Sequence, residues 1–289
     1  MSTTQKTLSA ANAGTVTLGD FTVNRLGFGA MRITGDGIWG EPKDPAEAKR
    51  VLRRAVELDV NLIDTADSYG PEVSERLIGE TLYPYPQGLV IATKGGYTRS
   101  GPNRWTPNLH PDHLRKALEG SLKRLRVDRI DVYQLHNAAD PTVPLADAIG
   151  TLAQMQREGK IKHIGVSNFT VLQLKEARAI VNVVSVQNRY NLLDRASDAV
   201  LSECEILRIP FLPWAPLGGN NRETTDALEN VAKRHGATPN QIAIAALLAR
   251  SPIMLPIPGT SRVAHLEENI GAAGVELTED DRRELLLDS

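Results

Sequence analysis

Ile130-Asp131-Val132-Tyr133-Gln134-Leu135 leads through a helical stretch, Leu145–Arg157, into Ile161-Lys162-His163-Ile164-Gly165-Val166. Both short runs are largely apolar rather than alternating, as expected of strands covered on two faces. Further strand candidates of the same kind span residues 25–30, 60–64, 89–93, 183–187, 209–214 and 253–257. Helical patterns lie between them. Asp44 offers a cap with Pro45 at the first helical position, and Ala48, Val51, Leu52, Ala55 and Leu58 follow at helical spacing. Pro111–Leu125 places Leu114, Ala117, Leu118, Ser121, Leu122 and Leu125 on one face, and two helices, 224–235 and Pro239–Arg250, separate the last two strands.

Eight strands alternating with helices over 289 residues predict an α/β fold, a (β/α)8 TIM barrel with extra helices. Ahead of it, Val16-Thr17-Leu18 and Phe21-Thr22-Val23 flank Gly19-Asp20, the pattern of an N-terminal β-hairpin. The small and polar residues 1–13 are expected to be disordered, and without a linker, repeat or low-complexity stretch residues 1–289 read as one domain. A doubly wound dinucleotide fold would need a G-x-G-x-x-G turn opening a helix after the first strand. Gly27 and Gly29 stand there, but the third glycine and the immediate helix are missing.

Composition narrows the function classes. A net charge of −2 gives no basic surface on which to base nucleic-acid binding. The longest apolar run, residues 242–249, is too short to span a bilayer, and the N-terminus lacks the apolar core of a signal peptide. One cysteine, Cys204, excludes an intramolecular disulfide and fits a reducing compartment, so a cytoplasmic location is expected. Cys204 itself falls in a helical stretch and is expected to be buried and inert.

Four polar residues fall at the ends of consecutive strands: Asp64 after the second, Tyr69 in the loop that follows, Lys94 after the third and His136 after the fourth. Barrel sites are built at the C-terminal ends of the strands, so all four face one mouth. Each has a bland alternative: a loop tie for Asp64, a salt bridge for Lys94, a loop anchor for Tyr69, a structural histidine for His136. Their joint placement is hard to explain that way. A tyrosine with a pKa near 10 is a weak acid at neutral pH. Lys94 beside it would lower that value by stabilising phenolate, and Asp64 would keep Lys94 charged and aimed. His136 would hold a carbonyl oxygen while Tyr69 donates the proton to a developing alkoxide. Carbonyl reduction is the chemistry such a set supports.

Asp64, Tyr69, Lys94 and His136 resemble the tetrad of the aldo-keto reductases, with surrounding motifs in the right order. The resemblance runs from Arg25-Leu26-Gly27-Phe28-Gly29 to Leu266-Glu267-Glu268-Asn269-Ile270, and Gly159-Lys160-Ile161-Lys162-His163-Ile164-Gly165-Val166-Ser167-Asn168-Phe169 is its most specific segment. It implies an NADPH/NADP+ cofactor across the barrel mouth and a small-molecule carbonyl substrate reduced to an alcohol. Ser167, Asn168 and Gln187 match the residues that hold the nicotinamide carboxamide. Trp214 stands where the family usually stacks a tyrosine or phenylalanine on the nicotinamide ring. Ala215, Pro216, Leu217, Gly218 and Gly219 are small enough to bring backbone donors to the pyrophosphate. Gly259, Thr260 and Ser261 open a helix whose amides form an anion site, and Arg262 could pair with a 2′-phosphate, favouring NADP over NAD. His265, Glu268 and Asn269 match adenosine-side positions.

Trp39 and Trp105, in loops after the first and third strands, are substrate-pocket candidates that could equally anchor their loops, and Met31 and Tyr97 are further candidates on the same argument. Only residues 218–223 separate Leu217 from the next helix, so no long cofactor clamp is expected and cofactor exchange should be fast. No long C-terminal loop follows the last helix, which implies an open pocket with broad use of small or aromatic aldehydes. Met31-Arg32-Ile33-Thr34-Gly35, Trp39-Gly40 and Pro216-Leu217-Gly218-Gly219 resemble a subgroup containing a pyridoxal reductase, so pyridoxal is the specific alternative. A cofactor-sensing subunit that keeps the tetrad is another. No metal site is expected: His110-Pro111-Asp112-His113 reads as a helix start, and strand ends lack clustered histidines and carboxylates.

Overall fold

In the computed structural model, residues 7–218 and 225–287 are described. Strands β1 (Thr15–Leu18) and β2 (Phe21–Asn24) form the expected antiparallel hairpin. The next strands are β3 (Phe28–Gly29), β4 (Leu62–Asp64), β5 (Val90–Gly95), β6 (Tyr97–Gly101), β7 (Arg104–Pro107), β8 (Ile130–Leu135), β9 (Ile161–Ser167), β10 (Val183–Arg189) and β11 (Phe211–Trp214). Seven of them make one curled parallel sheet in the order β11-β10-β9-β8-β5-β4-β3. Strands β6 and β7 form a second hairpin, absent from the sequence reading, on the loop after β5. The helices are α1 (Pro45–Glu57), α2 (Val73–Leu82), α3 (Pro111–Leu125), α4 (Leu145–Arg157), α5 (Val171–Arg178), α6 (Asp198–Leu207), α7 (Asp226–His235), α8 (Pro239–Arg250), α9 (Val263–Gly271) and α10 (Glu279–Glu284).

Local chemistry sets these boundaries. The Asp44 side chain accepts from the Glu47 amide with Pro45 at the first position of α1, and Thr238 and Gln241 close a reciprocal capping box at α8. Thr225 caps α7, which starts two residues later than expected; Thr224 and Gly219 lie outside the described residues. Residues 7–13 are not disordered, contrary to expectation. Ser9 caps a single turn over Ala10–Ala13, and Ala10 is fully buried with its amide donating to the Leu58 carbonyl at 2.8 Å.

The eighth stave differs from expectation as well. Residues 253–257 carry only a single bridge, Phe211 to Met254, rather than a ladder. The reason is covalent: Pro256 has no N–H to donate, and Pro252 and Pro258 flank the segment. The segment still closes the barrel. Phe211 donates to the Ile253 carbonyl at 3.0 Å, Leu255 donates back to Phe211 at 2.9 Å, and on the far edge Gly27 donates to the Pro256 carbonyl at 2.9 Å. Arg25 reinforces this join. Its guanidinium donates to the carbonyls of Leu248 at 2.6 Å, Ser251 at 2.5 Å and Met254 at 3.2 Å.

Two apolar layers follow from the two faces of each stave. Leu62, Val90, Ala92, Val132, Val184, Leu212, Leu255 and Ile257 fill the barrel interior, which Leu18 and Val23 of the hairpin plug from below. Neighbours of opposite parity, such as Ile63, Ile91 and Tyr133, pack outward against the helices. Cys204 is fully buried in α6, and burial pushes its thiol up to about 12. Among the described residues, no helix is long and apolar enough to cross a membrane.

Arg25→Met would keep the side chain's length but orphan three carbonyls at the barrel seam. The expected loss is roughly 2–4 kcal/mol, read as a lower urea midpoint with an unchanged slope. A midpoint equal to the parent's would show that the eighth stave closes without Arg25.

Candidate active site

Strand register brings the charged residues together. Asp64 ends β4 opposite Ala92 of β5, and Lys94 of β5 lies opposite Gln134 of β8. On the other side of the barrel, Ser167 of β9 is opposite Gln187 of β10. Lys94 is fully buried, and its ammonium directs three donors to three acceptors: Asp64 Oδ2 at 2.6 Å, the Thr65 carbonyl at 2.8 Å and Tyr69 Oη at 3.4 Å. Asp64 Oδ1 accepts from Gln134 Nε2 at 2.9 Å and from Gln187 Nε2 at 2.8 Å. Gln134 was not singled out in the sequence, although an amide inside the apolar run of β8 is a signal. Gly165 makes room for it, since a Cβ there would lie 3.0 Å from Gln134 Cγ and 2.3 Å from Ser185 Oγ.

Burial of Lys94 opposes its charge, but Asp64 and Tyr69 outweigh that and hold its pKa above the usual lysine value. Tyr69 departs from expectation. Burial pushes the phenol's pKa above its ordinary value; Lys94 pulls the other way, and the nearby Asp64 carboxylate offsets part of that pull. The phenol therefore keeps its proton at neutral pH. His136 is held well below the usual histidine value by burial, with the cations Lys94 and Arg99 adding to the effect. Its neutral imidazole has Nδ1 3.4 Å from Ser68 Oγ, and its ring packs edge-on against Tyr97, Tyr69 and Trp105 at centroid distances of 4.8, 5.9 and 6.2 Å.

Behind the tetrad lie two further acids, Glu75 and the half-buried Asp67. Glu75 of α2 is fully buried, accepting from Thr93 Oγ1 at 2.5 Å and from Arg124 Nε at 2.7 Å. Asp67 Oδ1 has no hydrogen-bond partner, and burial, reinforced by Glu75, raises its pKa to about 8.

A cleft of about 710 Å³ opens over these residues and is walled by Tyr69, His136, Tyr97 and Trp105 at one end. Ser167, Asn168, Gln187 and Trp214 line its middle, followed by Ala215, Pro216, Leu217 and Gly218. Its other end is formed by Gly259, Thr260, Ser261 and His265, and Met31 lines it as well. Trp214 is fixed by its indole N–H, which donates to Asn168 Oδ1 at 2.9 Å, while Asn168 Nδ2 donates to the His136 carbonyl at 3.0 Å. Asn168 adopts a left-handed φ of 60°, a conformation asparagine tolerates. Gly259 is required by close approach: a Cβ would stand 2.4 Å from the Gly29 carbonyl oxygen.

Four expected residues lie elsewhere. Trp39 does not wall the cleft; its neighbour Ile38 does, while the Trp39 ring packs 5.7 Å from the Arg99 guanidinium. Glu268 faces α8, accepting from Thr238 Oγ1 at 2.7 Å, and Asn269 is buried in α9. Arg262 is exposed at the start of α9, beyond the cleft wall. Arg32 and Arg189 line the cleft without having been foreseen. Arg189 pairs with Asp194 at 2.6 Å and lies over Trp214 at 5.7 Å. Among the described residues, no group of three or more histidines, cysteines or carboxylates could hold a metal ion.

The cleft suits an extended ligand with an amide-bearing ring and an anionic middle. Gln187 spends its N–H groups on Asp64 and, at 3.3 Å, on Gln134 Oε1, so its own carbonyl is left as an acceptor. Pro216 has no N–H and Gly218 donates its own to the Ala215 carbonyl at 3.0 Å, so Ala215 and Leu217 are left on that wall, with residues 259–261 opposite, as amides that could face an anion.

Asp67 yields a pH test of this geometry. Its pKa is about 8 folded against 3.8 for an ordinary aspartate, so between those values the folded chain holds a proton the unfolded chain has lost, and stability falls as pH rises. Asp67→Asn should match the parent near about pH 4 and melt higher than it at about pH 9. A Tm difference that stays constant across that range would contradict a protonated Asp67.

Comparison with known proteins gives the family. A model of the aldo/keto reductase family matches residues 25–285. An uncharacterized oxidoreductase of Schizosaccharomyces pombe is 52% identical over 274 residues, covering 94% of this chain and 89% of that protein. Pyridoxine 4-dehydrogenase of Escherichia coli is 44% identical over 276 residues, covering 93% of this chain and 96% of that protein. Among solved structures, a thermostable aldo-keto reductase in complex with the inhibitor epalrestat superposes with a TM-score of 0.82 at 32% identity, over 95% of this chain and 98% of that one.

Proposed function

Because this chain belongs to the aldo/keto reductase family of oxidoreductases, we propose that it reduces an aldehyde or ketone to an alcohol with NADPH, Tyr69 acting as the general acid. The observation that carries the reading is the buried chain Asp64–Lys94–Tyr69, which ends beside the neutral His136 at the wall of the cleft. NADPH, when bound, would supply the hydride. Ser167, Asn168 and the Gln187 carbonyl would hold its amide end, and Trp214, braced by Asn168, would face its ring. Residues 215–218 and Gly259, Thr260 and Ser261 would take the phosphates. Arg262, exposed next to Ser261, favours the 2′-phosphorylated cofactor, with His265 at the same end. Glu268, committed to α8, drops out of the adenosine contacts.

The chain's own residues handle the proton. A substrate carbonyl oxygen beside Tyr69 and His136 accepts a hydrogen bond from the imidazole, which carries no charge to compete with Lys94. As negative charge grows on that oxygen, the Tyr69 O–H delivers its proton, and the Lys94 ammonium stabilises the phenolate left behind. Asp64 keeps Lys94 aimed and balances its charge. Cleft walls of Trp105 and Tyr97 limit water near the transfer.

NADPH consumption across an aldehyde panel that includes 4-nitrobenzaldehyde and pyridoxal tests this. Tyr69→Phe should lower turnover by roughly 10²–10⁴-fold and leave NADPH binding intact. Undiminished turnover would remove Tyr69 as the acid. A parent protein that binds NADPH but reduces nothing in the panel would favour the cofactor-sensing subunit. The raised phenol pKa sets the sign of the pH dependence: the donor stays protonated through neutrality, so reduction should hold across neutral and mildly alkaline pH and fall only as the raised phenol loses its proton. A decline beginning near about pH 7 would mean that the acid is another group.

The relationship to pyridoxine 4-dehydrogenase supports a second, more specific reading, the interconversion of pyridoxal and its alcohol. On that reading pyridoxal shows the highest kcat/KM of the panel.

A further inference from the structure

Arg99, on β6, is part of neither the tetrad nor the expected cofactor contacts, yet it is the most heavily bonded side chain at the cleft's rim. Its Nε donates to the Arg104 carbonyl at 3.0 Å. Its Nη1 donates to the carbonyls of Ile38 at 2.9 Å and Ser68 at 2.7 Å, and its Nη2 to those of Gly37 at 3.1 Å and Gly101 at 3.3 Å. An arginine has five N–H groups in a rigid fork, and here every one meets a backbone carbonyl. The guanidinium plane also lies 3.6 Å from the centroid of the Trp105 ring.

These carbonyls come from three segments that touch the cleft. Gly37 and Ile38 belong to the loop after β3, Ser68 precedes Tyr69 in the loop after β4, and Gly101 and Arg104 form the turn of the β6–β7 hairpin. Lesser bonds follow the same lines: Asn103 donates to the Gly37 carbonyl at 2.9 Å, and Gly70 to that of Ile38 at 3.3 Å. A hairpin on a loop, with two strands of its own, is marginal unless fastened to something. Arg99 gives three of the hydrogen bonds that fasten this hairpin to the loops after β3 and β4, the Asn103 amide gives another, and the hairpin carries Trp105 and Tyr97.

We propose that Arg99 is a positioning residue that sets substrate selectivity: by tying the β6–β7 hairpin to the loops after β3 and β4, it makes Ile38 and Trp105 fixed walls that favour flat aromatic aldehydes over flexible aliphatic ones. The inference rests on the reductase reading and deepens it. Aromatic walls held in place before the substrate arrives need no ordering on binding, and the benefit goes to a ligand that matches their flat shape. A short aliphatic aldehyde touches little of either wall. The hydrogen bonds that join Lys94 to Asp64 and Tyr69 do not include Arg99, so the proton-delivering chain does not need the fastening.

Arg99→Met keeps the apolar stem against Trp105 and removes every donor. Hydrogen exchange of full-length protein, followed by mass spectrometry, should show residues 97–107 exchanging about tenfold faster or more, with β8 and β9 unchanged. The kcat/KM ratio of 4-nitrobenzaldehyde to propanal should fall by roughly tenfold, carried by KM, while kcat for propanal stays near the parent value. Arg99→Lys should move both readouts the same way, because one ammonium has three donors and cannot reach all three segments. That variant also stands in if Arg99→Met does not fold. Unchanged exchange in the hairpin overturns the proposal, and so does faster exchange with an unchanged aldehyde ratio. If the parent reduces no aldehyde, the reductase reading fails, the selectivity claim falls with it, and exchange alone decides the fastening.

Discussion

The Asp64–Lys94 ion pair, fully inside the protein, is the constraint on which the site is built. Burying two charges costs several kcal/mol for each ion, roughly, and their attraction offsets that only with good geometry and further hydrogen bonds. Both conditions are met here. Lys94 has three acceptors for three donors, and Asp64 takes two amide N–H groups on the oxygen that Lys94 does not use. Four adjacent or facing staves contribute to this cluster, so the parallel barrel is what makes the pair tolerable. In turn, the pair gives the barrel mouth a fixed cation with one remaining neighbour of chemical interest, the Tyr69 hydroxyl. A phenol whose pKa is raised by burial is a poor donor until charge develops nearby. The ammonium behind it makes the same phenol a good donor once that charge appears, and this contrast between resting and reacting states is what general-acid catalysis requires.

Regular elements were readable in the sequence wherever local chemistry and tertiary role agreed. Helices α3, α4 and α8 have the expected bounds because their apolar faces and their proline or capping starts coincide. Strand β8 does too, since both of its faces are largely buried and most of its residues are apolar. The eighth stave was misread as a regular strand for a specific reason. Its apolar run is genuine, but Pro256 removes a donor, and its pairing passes to carbonyls that serve Gly27, Phe211 and Arg25. Periodicity shows where a chain is buried; it does not show which backbone groups have partners. The β6–β7 hairpin was missed because its strands are short and half-exposed, β6 shows no alternation, and that of β7 covers only four residues.

The tetrad was legible because its members are chemically unusual for strand ends and fall in order on consecutive staves. Residues that act through a second residue were not. Gln134 has an ordinary side chain, and its meaning comes from Asp64, 70 positions away in the sequence. Arg99 and Arg189 carry no mark in the sequence, and only the fold brings tryptophans against them. Trp39 shows the converse error. A large aromatic in a rim loop was expected to touch substrate, but its ring faces the Arg99 guanidinium and the small Ile38 beside it walls the cleft. Position along a loop says which residue is near the mouth, and only backbone direction says which one faces it.

Two arginines divide the remaining structural work in a similar way. Arg25 donates only to carbonyls at the seam where the eighth stave meets the first, and Arg99 only to carbonyls where three rim loops meet. Both sites share a physical problem: chain segments converge with carbonyls exposed and no strand partner to satisfy them. A guanidinium is suited to that problem because it offers up to five donors in a plane and keeps its charge at any working pH. Lysine would satisfy fewer acceptors, and a neutral amide would leave carbonyls unpaired at about 1–3 kcal/mol each. The two differ in consequence, since the seam lies under the catalytic cluster and the rim lies over it. Loss at the seam loosens the frame that holds Asp64 and Lys94, whereas loss at the rim leaves that frame intact and alters only what can approach it. On the proposed reading, reaction type and substrate choice are set by different parts of the chain, the first by the staves and the second by the loops that Arg99 joins.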